Sequence, residues 1–124
     1  MKVWVVDDNP LHSSLVGAVL AKKGVDYKIF SFVSDVENFI LTENIESLPD
    51  VIFIDLHLDK GARGEELLTL LKNKLKGKKI KYIAFTADIE TKKKLVKSGF
   101  DDVINKPITI EKLELLIGDL MHGI

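Results

Sequence analysis

The hydrophobic residues of this chain follow two alternating spacings. Short runs of mainly β-branched and aromatic residues, the composition of buried strands, occupy residues 3–6, 27–32, 51–54, 80–85 and 103–104. Between these runs the apolar residues recur at the spacing of one helix face, which predicts helices over residues 10–23, 34–42, 65–75, 89–97 and 110–121. The pattern therefore predicts five strands, each followed by one helix.

Capping residues support these helix boundaries. Gly24 and Gly99 follow two predicted helices at the position where a left-handed residue ends a helix. Asp88 and Thr109 precede two others as N-cap residues. Strands that alternate with helices form a parallel sheet that is covered on both faces. We therefore predict a single α/β domain over residues 1–124, a flavodoxin-like, doubly wound parallel sheet of five strands in the order 2-1-3-4-5 with five helices.

Polar residues follow four of the predicted strands. Asp7 and Asp8 follow the first strand, Asp55 the third, Thr86 the fourth and Lys106 the fifth. In open α/β sheets, functional sites form at the carboxyl ends of the strands. Each residue alone is ordinary for a strand end or a turn, but all of them would meet at one edge of the predicted sheet. Together they are the candidate site.

The adjacent carboxylates of Asp7 and Asp8 are the strongest indication of a ligand. They repel each other, and carboxylate oxygens are the ligands that Mg2+ prefers. A solvated turn is the simpler interpretation of either aspartate alone, but the pair favours a cation shared with Asp55. A carboxylate beside Mg2+ and the ammonium of Lys106 is suited to attack a phosphoryl group, which would produce an aspartyl phosphate. Thr86 would then donate a hydrogen bond to a phosphoryl oxygen.

Composition narrows the function classes. The chain has 124 residues, 46% of them hydrophobic, and a formal net charge of -1, so no global field recruits nucleic acid or an anionic membrane. It has no cysteine, no apolar run of about 20 residues and no signal-peptide pattern. We expect a cytoplasmic protein with no direct nucleic-acid or membrane partner. The lysines of residues 72–81 are interpreted as a solvated helix end, and His12, His57 and His122 lack the spacing of metal ligands.

The ordered motifs resemble those of a known family. "VVDDNP", "VIFIDLHL", "FTA" and "GFDDVINKP" occur in the order and at the spacing of the response-regulator receiver domain of two-component signalling. The resemblance covers essentially the whole chain and is to the stand-alone, chemotaxis-regulator-like members. It implies a signalling phosphoacceptor, not an enzyme with a separate substrate. Its partners would be a sensor histidine kinase or a histidine phosphotransfer protein, together with an unidentified downstream protein; phosphorylation-dependent dimerisation is a further hypothesis.

The same resemblance implies a role for each candidate residue. Asp8 and Asp55 would ligate Mg2+ directly, with the backbone carbonyl of His57 as a third protein ligand. Asp7 would act mainly through water. The bond between Lys106 and Pro107 would be cis. Asp55 would be the phosphoacceptor, and Thr86 and Lys106 would contact the phosphoryl group.

Departures from the family pattern fall in the loop after strand 3 and in strand 5. Asp59 stands where the family usually has proline, and Gly64 comes one residue late. Val103 replaces the usual tyrosine or phenylalanine, and Ile108 replaces the usual aromatic residue after Lys-Pro. We therefore expect a switch without the aromatic rotamer change of the family, with the signal carried by the loop or by dimerisation.

Three alternatives compete with the phosphoacceptor. A pseudo-receiver would bind partners without phosphorylation; the complete acidic set argues against it, but the altered loop and Val103 keep it open. An aspartyl-phosphate phosphatase of the same fold usually needs a second aspartate where this chain has His57. A flavin or nucleotide carrier needs a hydroxyl- or glycine-rich loop after strand 1, where the acidic "DDNP" would repel phosphate.

Overall fold

Five strands and five helices alternate in the computed structural model, which describes residues 1–42, 48–58, 61–87 and 92–123. The strands are β1 (Lys2–Val6), β2 (Asp26–Phe30), β3 (Val51–Asp55), β4 (Lys81–Thr86) and β5 (Asp102–Asn105). The helices are α1 (Pro10–Lys22), α2 (Val33–Thr42), α3 (Gly64–Lys74), α4 (Lys92–Ser98) and α5 (Ile110–Gly123). Each strand is followed by a helix, as the hydrophobic pattern predicts.

The strands form one parallel sheet in the order β2-β1-β3-β4-β5. The central strand β3 is buried along its whole length, whereas the edge strand β2 is exposed over most of its residues. Because all strands run in the same direction, their carboxyl ends lie at one edge of the sheet. The predicted α/β class, flavodoxin-like strand order and doubly wound architecture are confirmed.

Helices cover both faces of the sheet and bury a separate hydrophobic layer on each. On one face α1 and α5 pack against the strands, and their buried residues include Val16, Leu20, Leu113 and Ile117. On the other face α2, α3 and α4 contribute Val36, Leu67, Leu71 and Leu95. Burial of such side chains contributes roughly 1.5–3 kcal/mol each, so these two layers hold the sheet in place. None of the described helices is long and apolar enough to cross a membrane.

An aromatic cluster anchors the edge of the sheet. Trp4, which the sequence places in the first strand, is almost completely buried and packs edge-on against Phe30 and Phe39, with ring centroids 5.4 and 5.5 Å away. Edge-to-face ring pairs contribute about 0.5–1.5 kcal/mol beyond their buried area. The cluster therefore ties β1, β2 and α2 together.

The capping residues behave largely as predicted. Gly24 and Gly99 follow α1 and α4 with φ angles of 71° and 115°, in the left-handed region. Thr109 directly precedes α5, and its Oγ1 accepts a hydrogen bond of 3.2 Å from the backbone N–H of Lys112. The cap predicted at Asp88 lies outside the described residues.

The end of the second strand differs from the prediction. The second strand ends at Phe30 rather than at residue 32, because the chain turns there and the backbone carbonyl of Phe32 accepts a hydrogen bond from the N–H of Asp35. Phe32 is therefore an exposed aromatic residue in a turn, which a strand pattern cannot distinguish from a strand residue. The described part of the fourth helix begins at Lys92, and its predicted start at residue 89 lies outside the described residues.

Gly64 controls how closely α3 approaches the end of β3. The backbone N–H of Gly64 donates a hydrogen bond of 3.0 Å to the carbonyl of Leu56. A Cβ atom on Gly64 would lie 2.6 Å from the carbonyl oxygen of Asp55 and 3.0 Å from the Cα of Leu56. The loop after β3 is also closed by a hydrogen bond from the N–H of Leu58 to the carbonyl of Ala62. A glycine displaced by one residue from its usual place thus still allows close contact between helix and strand.

We predict that Gly64→Ala is destabilising. The added methyl group meets backbone atoms that cannot rotate away, so the expected loss is about 1–3 kcal/mol of unfolding free energy, measured by urea denaturation. Gly118→Ala is the matched control, because Gly118 lies in α5 and a Cβ there meets nothing within 4 Å. In a helix interior that exchange gains about 0.5–1 kcal/mol. Equal effects of both substitutions would contradict the steric argument.

Candidate functional site

Two carboxylates meet at the centre of the carboxyl edge of the sheet. Asp7 directly follows β1, and Asp55 is the last residue of β3. The register pairs Val6 with Ile54, so Asp7 and Asp55 are side by side one step further along. Both are buried, with 0% and 3% of their surfaces exposed. Two adjacent buried carboxylates repel each other strongly unless a proton or a cation compensates them.

The Asp55 carboxylate is fixed from two sides. Its Oδ1 accepts a hydrogen bond of 3.1 Å from the backbone N–H of His57, and its Oδ2 lies 3.1 Å from the ammonium nitrogen of Lys106. Lys106 is itself held by the strands, because its backbone N–H donates to the carbonyl of Thr86 at 2.7 Å. The side chain of Thr86 is buried at the end of β4. The structure thus brings three of the predicted residues to one place.

Asp7 is an acid without a full set of partners. Its Oδ1 accepts a hydrogen bond of 2.9 Å from the backbone N–H of Asn9. Its Oδ2 is buried and makes no hydrogen bond to the described residues. Burial raises the pKa of Asp7 to about 7; the N–H of Asn9 opposes this change, and the neighbouring Asp55 carboxylate adds to it. An orphaned buried oxygen beside a second carboxylate fits a hard divalent cation such as Mg2+.

His12 is a site residue that the sequence pattern does not identify. It lies in the first turn of α1, and its Nδ1 is 3.4 Å from Oδ2 of Asp7, without hydrogen-bond geometry. Asp7, His12 and Asp55 each offer one ligand atom, and these atoms all lie within 4.8 Å of one another. Burial lowers the pKa of His12, and the nearby charge of Lys106 lowers it further. The imidazole therefore favours its neutral, metal-binding form.

The position of His12 follows from where α1 begins. α1 begins at Pro10, immediately after the acidic pair, because the side chain of Asn9 accepts hydrogen bonds from the N–H groups of Leu11 and His12. Within this first turn His12 faces Asp7, whereas Leu11 is exposed to solvent. The histidine spacing along the chain contains no such information.

Asp8 and His57 occupy the rim of the site. Asp8 is exposed and does not belong to the group formed by Asp7, His12 and Asp55. His57 is also exposed, and its backbone pairs with Arg63 across the loop after β3. Direct metal ligation by Asp8 and by the carbonyl of His57 stays a prediction. The bond between Lys106 and Pro107 is cis, as the resemblance implies.

Comparisons with known proteins agree on one family. The family model described as the response regulator receiver domain matches residues 3–117. A cyclic di-GMP phosphodiesterase of Thermotoga maritima is 31% identical over 121 residues, covering 94% of this chain and 30% of that protein. The nitrogen assimilation regulatory protein NtrX of Azorhizobium caulinodans is 30% identical over 116 residues, covering 92% of this chain and 24% of that protein.

A solved structure shows the same fold. The receiver domain of the Francisella response regulator 1452 is 27% identical, with a TM-score of 0.79 over 98% of this chain and 97% of the other. The chain spans less than a third of the length of the two curated relatives above, so their whole-protein activities belong to the longer proteins. The family match, in contrast, extends over nearly all of the sequence. This chain belongs to the response regulator receiver domain family.

Proposed function

We propose that this chain is the phosphoacceptor of a two-component or phosphorelay system. Receiver domains are signalling domains that interact with histidine kinases or phosphotransfer proteins. In this proposal Asp55 takes a phosphoryl group from such a partner, and the phosphorylated site switches a surface that binds a downstream protein. The observation that carries the proposal is the position of Asp55, buried between the ammonium of Lys106 and the carboxyl group of Asp7.

The geometry supports nucleophilic attack by Asp55. An oxygen of its carboxylate would form a bond to phosphorus while the bond from phosphorus to the imidazole nitrogen of the partner breaks, and the electron pair of that bond stays on the imidazole. Lys106 is close enough to neutralise the phosphoryl oxygens as charge develops on them. The hydroxyl group of Thr86, at the end of the neighbouring strand, would donate a hydrogen bond to a phosphoryl oxygen.

The donor set fits a divalent cation at the same place. Asp7, Asp8 and Asp55 would hold Mg2+ together with the backbone carbonyl of His57. When bound, Mg2+ would supply positive charge that lets the two buried carboxylates remain ionised beside an incoming phosphoryl group. The unpaired Oδ2 of Asp7 supports this assignment, because a buried carboxylate oxygen without a donor is otherwise unfavourable.

We predict that Asp55 alone accepts the phosphoryl group. Incubation with a small phosphodonor and Mg2+ should add one phosphoryl group per chain, measured by intact mass, and Asp55→Asn should abolish the addition. Asp119→Asn is the matched control, because it makes the same change of charge on the exposed side of α5 and should be labelled like the parent. A parent protein that takes no label while its site binds Mg2+ would identify a pseudo-receiver instead.

We also predict that Asp7 makes the metal-free protein less stable as the pH rises. With a folded-state pKa of about 7 against an ordinary value of 3.8, the folded protein binds more protons than the unfolded chain between about pH 4 and pH 7. The unfolding free energy should therefore fall across that window. In EDTA, Asp7→Asn should be more stable than the parent by roughly 2–4 kcal/mol at pH 8 and by much less at pH 4.

Saturating Mg2+ at pH 8 should narrow the difference between Asp7→Asn and the parent, because the cation compensates the ionised carboxylate. Asp119→Asn, an exposed acid, should follow the parent at every pH. The measurement is denaturant unfolding at each pH, with and without Mg2+. A constant stability difference from pH 4 to pH 8 would show that Asp7 is not the titrating group.

The switch should proceed without a rotamer change at position 103. Val103 is buried and pairs with Ala84 in the sheet register, and its β-branched side chain has one preferred torsion. Beryllofluoride, which mimics the phosphoryl group, should therefore cause small amide chemical-shift changes around Val103. We expect larger ones near Thr86 and in the 58–65 loop. Asp55→Asn should not respond, and shifts centred on Val103 with an unmoved loop would refute this account.

A further inference from the structure

We propose that Asp7, His12 and Asp55 form a mixed oxygen–nitrogen site that binds a first-row transition cation of the Zn2+ or Co2+ type more tightly than Mg2+. The imidazole nitrogen of His12 distinguishes this site from a pocket that offers only oxygen ligands. The inference deepens the proposed function, since it rests on the pocket holding a divalent cation. It does not depend on phosphorylation, so an experiment can contradict the transition-metal site without contradicting the phosphoacceptor function.

The distances suit a small coordination sphere. Nδ1 of His12 and Oδ2 of Asp7 are 3.4 Å apart, and the ligand atoms of all three residues lie within 4.8 Å of one another. Zinc binds imidazole nitrogen and carboxylate oxygen at about 2.0–2.2 Å, so two ligands of a tetrahedral ion are separated by about 3.3–3.5 Å. The observed separation of the first pair already has that length. A small closure of Asp55 towards them completes a three-ligand site.

Two of the ligand atoms are buried without a hydrogen-bond partner among the described residues. Oδ2 of Asp7 and Nδ1 of His12 are both shielded from solvent, and neither makes a hydrogen bond to the described residues. Asp7 is completely buried, so water does not satisfy its oxygen at the surface. A cation between the two atoms would accept a lone pair from each. The orphaned pair is the observation, beyond the acidic cluster itself, that points to a ligand.

Hydrogen bonds at the start of α1 hold His12 close to Asp7. The N–H groups of Leu11 and His12 donate to Oδ1 of Asn9, at 2.9 and 3.4 Å. The hydroxyl group of Ser13 donates to the carbonyl of Asp7 at 3.2 Å. The first turn of α1 is therefore attached directly to the end of β1. Little rearrangement is needed to bring the ligands together, which favours binding.

Asp55 can join this site without losing its other contacts. Its Oδ1 accepts one hydrogen bond from His57 and its Oδ2 one from Lys106. A carboxylate offers about four lone-pair positions, so acceptor capacity remains on both oxygens. The carboxylates of Asp7 and Asp55 both supply negative charge to a divalent cation, although Asp55 also pairs with Lys106. Three protein ligands leave one open position, the arrangement typical of zinc sites that bind a further oxygen ligand.

The donor set determines the class of cation. Mg2+ is held almost entirely by oxygen and keeps several of its waters, so an imidazole adds little to its binding. Imidazole nitrogen suits Zn2+, Co2+ and Ni2+, and affinities of such sites rise along the first-row series. The chain has no cysteine, so no thiolate competes for these metals elsewhere. Removal of the imidazole should therefore weaken Co2+ binding selectively and leave Mg2+ binding nearly unchanged.

The test compares Co2+ and Mg2+ binding by calorimetry in the intact chain. The parent should bind Co2+ at least 10-fold more tightly than Mg2+. His12→Leu should weaken Co2+ binding by at least 10-fold and change Mg2+ binding by less than about twofold. His122→Gln is the matched control, because it removes an exposed imidazole in the last turn of α5. This control should bind Co2+ like the parent.

Proton NMR of the Co2+ form provides a second readout. A bound imidazole gives a strongly shifted ring N–H signal that disappears in D2O, and this signal should be absent only from the His12 variants. His12→Asn serves as a second variant that keeps a polar side chain, and thermal melts in EDTA establish that each variant is folded. Unchanged Co2+ affinity and an unchanged signal in both His12 variants would overturn the proposal.

The remaining outcomes separate this inference from the proposed function. If the parent binds Mg2+ and is phosphorylated but binds Co2+ no more tightly, the transition-metal site is wrong and the phosphoacceptor stands. Loss of the shifted signal in His122→Gln would assign the nitrogen ligand to that histidine and overturn the role of His12. If the parent binds neither cation, the metal site fails as a whole.

Discussion

The repulsion between two buried carboxylates is the constraint on which this site depends. Asp7 and Asp55 end neighbouring parallel strands and lie where water cannot screen their charges. The ammonium of Lys106 compensates one of them. Asp7 is left with a raised pKa and an oxygen without a hydrogen-bond partner among the described residues. In the metal-free protein it therefore loses its proton less readily than an exposed aspartate. The proposed binding of a cation and the proposed acceptance of a phosphoryl group would both act on this imbalance.

The rest of the fold keeps these groups in position. The parallel sheet sets the spacing of the strand ends, and the two hydrophobic layers prevent the strands from shifting. Beneath the site, the rings of Phe53 and Phe85 stack at 5.3 Å and join β3 to β4. Gly64, the first residue of α3, has no side chain and therefore lets the helix lie close to the backbone of Asp55. Packed secondary structure, rather than a loop that could relax, thus holds the two carboxylates close together against their repulsion.

The first turn of α1 places an imidazole nitrogen beside the carboxylates of the pocket. An acidic pocket with one lysine suits a hard cation and a phosphoryl group. The imidazole of His12, directed at Asp7, adds a ligand that hard cations use little. If both cation classes reach the site, they compete for the same carboxylates, including the proposed phosphoacceptor Asp55. Occupation by a transition metal would then reduce the fraction of chains that can be phosphorylated.

The sequence by itself determined the fold and most of the site, because strands, helices and strand ends are properties of short segments. Alternating hydrophobic spacing fixes the order of elements, and parallel strands bring Asp7, Asp55, Thr86 and Lys106 to one edge. Only the tertiary structure decided which acid of the pair is buried and that His12 faces it. Burial, pKa and the direction of a helix side chain depend on how α1 packs against the end of β1, and no spacing along the chain records that contact.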